Sequence, residues 1–249
     1  MLETAAATDQ GGRHYMEDFV RVEPSFAGRE GWLYAGVFDG HNGDGVSRRA
    51  SEELHGILAE ELGLERPVDE AIRSTFRTFD ERVASEGSGA TAAVLVLQGD
   101  ALTVGNAGDS HVALISKAGV GLLTRDHRLT NEGEYRRIVA AGGRVMGPYA
   151  VLPWGKGLVC TRSLGDRPFR RIGIIPEPDV SERILGAEDE WLILGSDGVW
   201  DGLTPEAVAD LARGETTAQS AADRIRASAL EKNDDNVSVI AIRLARGDL

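Results

Sequence analysis

In this 249-residue chain, acidic residues recur just after short apolar runs and beside glycine. Asp39-Gly40-His41 follows the run 32–38, Asp109 follows Asn106-Ala107-Gly108, and Asp197-Gly198 follows Leu192-Ile193-Leu194 through Gly195-Ser196. Asp234-Asp235-Asn236 precedes the apolar run 237–244, and Glu17-Asp18 closes the early segment Arg13-His14-Tyr15-Met16. A single Asp-Gly is an ordinary turn, because glycine tolerates positive φ and aspartate caps its own turn. Recurrence changes the reading. Carboxylates gathered at the ends of strands repel one another and resist ionisation unless cations neutralise them. Hard oxygen donors with few histidines favour Mg²⁺ or Mn²⁺ over Zn²⁺. Gly40, with no side chain, can also bring its own carbonyl close to an ion. The expectation is a two-metal carboxylate centre.

Other chemistries fit less well. Gly108-Asp109-Ser110 has the look of a hydrolase nucleophile motif, but it lies mid-chain, no histidine follows His127, and there is no G-x-S-x-G elbow. No His-x-His suggests a dinuclear zinc site, and no G-x-x-x-x-G-K-[ST] suggests a phosphate-binding loop. Cys160, the only cysteine, reads as a small buried hydrophobe, and the chain has no disulfide framework. His14, His55, His111 and His127 have no neighbour comparable to the strand-end Asp39 beside His41 and read as structural, and Trp200 reads as packing.

Elements able to deliver these acids are legible as alternation or as short apolar runs. Strands are expected at 4–8, 18–22, 32–38, 91–97, 101–106, 111–116, 158–162, 190–194 and 237–244. Gln98-Gly99-Asp100 joins two of them as a hairpin turn. Helical periodicity marks 45–61, 69–85, 132–141, 205–213 and 218–231, with Val46, Ala50, Leu54, Ile57 and Leu58 along one face of the first. Thr204-Pro205 is a cap followed by proline at the first helical position. Hairpin-spaced strands with helical pairs between them imply an α+β fold, antiparallel sheets with helices packed outside. A single domain over 1–249 is expected, with neither repeats nor a long linker.

Several segments, taken in order, resemble the metal-dependent type 2C Ser/Thr protein phosphatases. They are G-G-R-H-Y-M-E-D (11–18), V-F-D-G-H-N-G (37–43), S-G-A-T-A (88–92), G-N-A-G-D-S (105–110) and T-R-D-H (124–127). A-G-G-R-V (141–145), T-R-S-L-G-D (161–166), P-E-P-D-V (176–180), S-D-G-V-W-D (196–201) and D-N-V-S-V (235–239) continue the series. The resemblance spans nearly the whole chain. It implies a central sandwich of two antiparallel β-sheets flanked by helix pairs, in four layers, with the metal centre at one end and a flap at about 125–165. By the same resemblance Asp39 bridges two Mn²⁺ or Mg²⁺ ions, the Gly40 carbonyl binds one, and Asp197 and Asp235 bind the other. Asp235 is preferred to Asp234 because it directly precedes Asn236, as in the family motif. Glu17 and Asp18 would hold metal-bound waters, and Asp109, with Asp197 and Asp201, would take an additional ion. Arg13 would grip phosphoryl oxygens and His41 would protonate the departing Ser or Thr oxygen. The implied activity is hydrolysis of phosphoserine and phosphothreonine in proteins, opposite a cognate Ser/Thr kinase. The alternative is a pseudophosphatase that keeps the fold and binds a partner without turnover.

The charge balance bears on partners. Twenty-seven Lys+Arg against 40 Asp+Glu leave −13, a poor match to nucleic acid. No apolar run approaches membrane-spanning length and no signal peptide is evident, so a cytoplasmic monomer is the expectation. The charge is uneven, however: residues 117–171 carry 11 Lys/Arg and only 4 acids. That basic stretch overlaps the flap and could offer positive potential to a phosphorylated substrate.

Overall fold

The computed structural model describes residues 2–244. Two five-stranded antiparallel sheets face each other. One has the order β1 (Leu2–Asp9), β16 (Val237–Leu244), β15 (Asp189–Gly195), β8 (His111–Ser116) and β9 (Gly119–Leu122). The other has the order β14 (Asp179–Ile184), β7 (Ala101–Ala107), β6 (Ala92–Gln98), β3 (Trp32–Phe38) and β2 (Phe19–Pro24). Helices α1 (Gly45–Gly63) and α2 (Val68–Arg82) cover the second sheet, while α5 (Pro205–Arg213) and α6 (Ala218–Leu230) cover the first. This is the α+β sandwich expected from the sequence.

Alternation explains the layering, since successive strand side chains point to opposite faces. In β3, Leu33, Ala35 and Val37 enter the inter-sheet core, where they share a cluster with Leu95, Val112, Leu114, Leu192, Leu194, Ile240 and Ile242. Tyr34 and Phe38 point the other way, into the layer formed with Leu54, Leu58, Phe76 and Phe79 of α1 and α2. In β16, Val237, Val239 and Ala241 face α5 and α6. Both faces of these central strands are covered, so they are largely apolar.

The hairpin at Gly99-Asp100 forms as expected, pairing Gln98 with Ala101, and Gly99 takes φ 59°. The Thr204 hydroxyl caps α5 by accepting from the Ala207 N–H, with Pro205 at the start of the helix. The expected strand at 158–162 does not form as such. Only Gly157–Leu158 (β12) is strand, paired with β11 (Tyr149–Val151), which pairs in turn with β10 (Arg144–Met146). Beyond it the backbone is spent on loop partners: Thr161 donates to the His127 carbonyl, and Ser163 donates to that of Ile175. β14, which sequence reasoning missed, is an edge strand whose D-V-S-E-R-I pattern leaves four consecutive residues exposed.

Between α2 and β14 lie the pieces that shape the site. The segment 125–165 contains α3 (Glu132–Ala140) and the β10–β12 sheet. Ile138, Ala150, Leu152 and Leu158 pack beneath it on Phe169, Ile172 and Ile174. A three-stranded miniature sheet has β5 (Gly89–Ala90) at its centre, with β4 (Gly40–His41) on one side and β13 (Leu164–Gly165) on the other.

Candidate active site

β3 runs out at Phe38 and delivers Asp39 to the end of the sandwich, where the Asp39 carbonyl accepts from the Thr91 N–H. Gly40 then pairs with Ala90, and its N–H donates to the Glu17 carbonyl. A Cβ at Gly40 would collide with that carbonyl and with the Ser47 hydroxyl, so no other residue fits. On the facing sheet β15 ends at Gly195, and Asp197 opens the short helix α4 (Asp197–Trp200). Asp235 lies just before β16. Asn236 ties the two chain ends together: its Oδ1 accepts from the Glu17 N–H at 2.7 Å, and its Nδ2 donates to the carbonyls of Gln10 and Tyr15.

These residues converge on one cavity of about 340 Å³, lined among others by Arg13, Glu17, Asp39, Gly40, His41, Asp109, Asp197 and Asp235. Asp18 is buried near them, 3% exposed, and Oδ2 of its carboxyl has no hydrogen-bond partner. Burial, then the neighbouring charges of Asp197, Asp18 and Asp109, hold the Asp39 carboxyl well above its ordinary value. Burial and the charge of Asp109 push Asp197 up to about 7. Burial, with the nearby charge of Asp235, raises Asp18 to about 6.

Such a group of acids is short of positive charge, and its all-oxygen donors suit a hard divalent cation. Among the described residues no three or more His, Cys, Asp or Glu side chains stand as a ready-made ion cage. The fit therefore rests on the charge deficit and on the unpartnered Asp18 oxygen.

His41 is positioned by the miniature sheet. β5 is gripped by β4 and β13 at once, and this brings residue 166, just beyond β13, to residue 41. The His41 Nε2 lies 2.5 Å from Asp166 Oδ2, which also accepts from the Ser163 hydroxyl at 2.8 Å. Burial alone would lower the His41 pKa, but the Asp166 carboxylate outweighs it and the net shift is upward. Gly89 is required here, because a Cβ would strike both Asp166 and His41. Asp166 was quoted in a motif but given no role by sequence reasoning, since nothing in the sequence links residues 41 and 166.

Arg13 is largely exposed, and its Nη2 donates to Asp235 Oδ2 at 2.6 Å. Asp109 is 4% exposed and is held by Arg128, whose Nε donates to Asp109 Oδ2 at 2.7 Å. The same guanidinium forks onto Asp201, outside the cavity lining, at 2.8 and 3.1 Å. Sequence reasoning missed Arg128, although it directly follows T-R-D-H. Tyr149 of β11 also lines the cavity.

The remaining candidates settle as packing. Ser110 is buried with its hydroxyl 2.7 Å from that of Thr91 and has no histidine partner. Cys160 is buried, which pushes its thiol well up and leaves no usable thiolate. Trp200 donates to the Gly195 carbonyl. Burial lowers His111 to about 4.

The family model described as "Protein phosphatase 2C" matches residues 3–237. The chain belongs to the protein phosphatase 2C family. It is 33% identical to probable protein phosphatase 2C 45 of Oryza sativa subsp. japonica, over 97% of this chain and 87% of the rice protein. It is 31% identical to protein phosphatase 2C 16 of Arabidopsis thaliana, over 94% of this chain but only 60% of that protein. Among solved structures, a sex-determining protein of C. elegans aligns with TM-score 0.85 and 26% identity, covering 98% of this chain and 65% of that one. A serine-threonine phosphatase 2C of Toxoplasma gondii aligns with TM-score 0.83 at 21% identity, covering 97% and 94%, and shares the fold. This phosphatase 2C chain thus carries the sandwich, with acids gathered at the cavity at its end.

Proposed function

We propose that this phosphatase 2C member hydrolyses phosphoserine and phosphothreonine in protein substrates, with Mn²⁺ or Mg²⁺ as cofactor. One observation carries the reading: half-buried Asp39 and Asp197 line, with Asp109 and Asp235, a cavity that also holds Arg13 and a carboxylate-bound His41, and buried Asp18 lies near them. Asp39, the Gly40 carbonyl, Asp197 and Asp235 would hold two divalent ions, with Glu17 and Asp18 orienting water beside them. Bound there, the ions supply positive charge that acidifies the attacking water and steadies the phosphoryl oxygens.

The chain's own side chains do the rest. Arg13 is exposed enough to leave Asp235 and fork onto two phosphoryl oxygens. Asp166 holds His41 through Nε2, which leaves Nδ1 to give a proton to the departing Ser or Thr oxygen. An alkoxide is a poor leaving group, so this proton matters more for a phosphopeptide than for an aryl phosphate. Phosphoproteins made by a cognate Ser/Thr kinase are the natural substrates of such a site. A cytoplasmic monomer fits the single buried cysteine and the absence, among the described residues, of any helix long and apolar enough to cross a membrane.

The test is hydrolysis of a phosphothreonine peptide with Mn²⁺ and with a chelator. Activity should require the ion and vanish in Asp39→Asn and Asp197→Asn, both still folded. Turnover retained in both variants overturns the mechanism, and no turnover in the folded, Mn²⁺-loaded wild type makes the protein a binding module.

A further inference from the structure

Arg128 stands at the base of the flap, where its backbone bridges to Cys160 on the returning limb. Its guanidinium points away from the flap into a ring of carboxylates. Nε donates to Asp109 Oδ2 at 2.7 Å, Nη1 to Asp201 Oδ1 at 2.8 Å and Nη2 to Asp201 Oδ2 at 3.1 Å. Asp197 Oδ2 lies 3.6 Å from Nη2, and Asp126 Oδ1 lies 3.7 Å from Nε. The side chain is 22% exposed, so the group is only partly screened by water.

Asp109 and Asp201 are the carboxylates that the resemblance offered to an additional metal ion, and the structure does not leave them free for one. Both oxygens of Asp201 are taken by the two ends of the guanidinium, and Oδ2 of Asp109 is taken by Nε. A bidentate guanidinium–carboxylate fork is geometrically matched and already supplies the positive charge that an ion at the same oxygens would bring, so it competes with one. The acids here are mutually repulsive in its absence, and removing one partner of a part-buried ion pair leaves the others uncompensated.

We infer that Arg128 is a resident cation, filling the position between Asp109, Asp197 and Asp201 that an additional divalent ion would occupy, so that this chain takes two metal ions and not three. The inference rests on the two-metal reading of the main centre and deepens it. It also gives Arg128 a positioning role. One side chain fixes the flap base to the β7–β8 turn through Asp109 and to the segment after α4 through Asp201, whatever the free metal concentration.

The test is metal stoichiometry, read without reference to turnover. The chelator-stripped full chain is dialysed to equilibrium against millimolar MnCl₂, and bound Mn²⁺ is counted per chain, with protein-bound ions confirmed by electron paramagnetic resonance. Wild type should saturate at two equivalents and Arg128→Ala at three, and Arg128→Ala/Asp109→Asn should return to two. Millimolar Mn²⁺ should also raise the melting temperature of Arg128→Ala by more than that of wild type. Asp201→Asn, which keeps the arginine, should stay at two, so the inference remains testable if Arg128→Ala does not fold. Three equivalents in wild type falling to two in Asp201→Asn would overturn it, because the arginine would then yield to an ion. Two equivalents in both wild type and folded Arg128→Ala would overturn it from the other side, by showing no cation position there. No bound Mn²⁺ in wild type would instead defeat the two-metal reading on which the inference stands.

Discussion

Glu134 gives the best-defined energetic prediction in the molecule. It sits on α3, 3% exposed, beneath two guanidiniums. Arg137 donates to both its oxygens, Arg162 Nη2 donates to Oε1 at 2.9 Å, and the Thr161 hydroxyl donates to Oε2 at 2.6 Å. Burial opposes its ionisation, but the arginines outweigh burial and draw its pKa from the ordinary 4.5 down to about 2. Because the folded-state pKa is the lower one, the charge stabilises the fold above pH 4.5, and that stability drains away as pH falls toward 2. At about 1.4 kcal/mol per pKa unit, the charge contributes about 3 kcal/mol at pH 7 and still about 2 kcal/mol at pH 3.5. That agrees with the ~3–5 kcal/mol typical of breaking a buried ion pair. Glu134→Gln should therefore lower stability by about 3 kcal/mol at pH 7, or the melting temperature by roughly 6–12 °C for a chain of this size. Urea unfolding of wild type and variant at pH 7, 5 and 3.5 measures it. A loss under about 1 kcal/mol at pH 7, or one that grows on acidification, would refute the linkage argument.

Four further outcomes are expected. Chelator-stripped protein should lose melting temperature as pH rises from 5 to 7.5, because Asp18 and Asp197, raised to about 6 and about 7, must ionise beside like charges. Added Mn²⁺ should flatten that slope, and a slope of the opposite sign would contradict the raised values. Asp39→Asn should abolish turnover yet hold or raise the neutral-pH stability of the stripped protein, where a marked loss would mean the acid is structural. His41→Ala should lower kcat on a phosphothreonine peptide by roughly 10²–10⁴ but far less on p-nitrophenyl phosphate, with Asp166→Asn following the same pattern; equal losses on both substrates would remove the proton-donor role. Arg13→Ala should raise KM for either substrate roughly 10- to 100-fold, as for a lost charge-assisted fork, and an unchanged KM would argue against phosphate binding.

Strand-end acids were readable because each lies beside its own strand, and local pattern is what a sequence displays. The alternation of Leu33, Ala35 and Val37 against Tyr34 and Phe38 likewise anticipated two cores on two faces of one strand. Partners supplied from far away were not readable. Asp166 reaches His41 only because two-residue β5 pairs on both edges, and a two-residue strand carries no periodicity. β14 was missed because its outward residues are charged and exposed, as at a sheet edge. The basic bias of 117–171 suggested a substrate-facing surface, yet several of its arginines are consumed internally. Arg137 and Arg162 serve Glu134, Arg128 serves Asp109 and Asp201, and Arg170 serves Asp80 and the carbonyls of Ser163 and Gly165. Composition counts charges but cannot say which are already spoken for. Exposed Arg125, Arg144 and Lys156 have no internal carboxylate partner among the described residues, and Arg171 stacks on Trp154.

The pairing of β1 with β16 along all eight residues, from Leu2 with Leu244 to Asp9 with Val237, bears on synthesis. During translation the first strand must wait for residues 237–244 before its one neighbour among the described residues emerges, and Glu17 waits equally long for Asn236. A nascent chain made as far as residue 230 has the Asp39 turn and the helices of both outer layers, but its first sheet is split, with β1 stranded from β15. Such pairings of high sequence separation form late and slowly. The cavity lined by Asp235 and Asn236 is thus completed only when β16 is in place, and a chain cut before residue 235 lacks those lining residues.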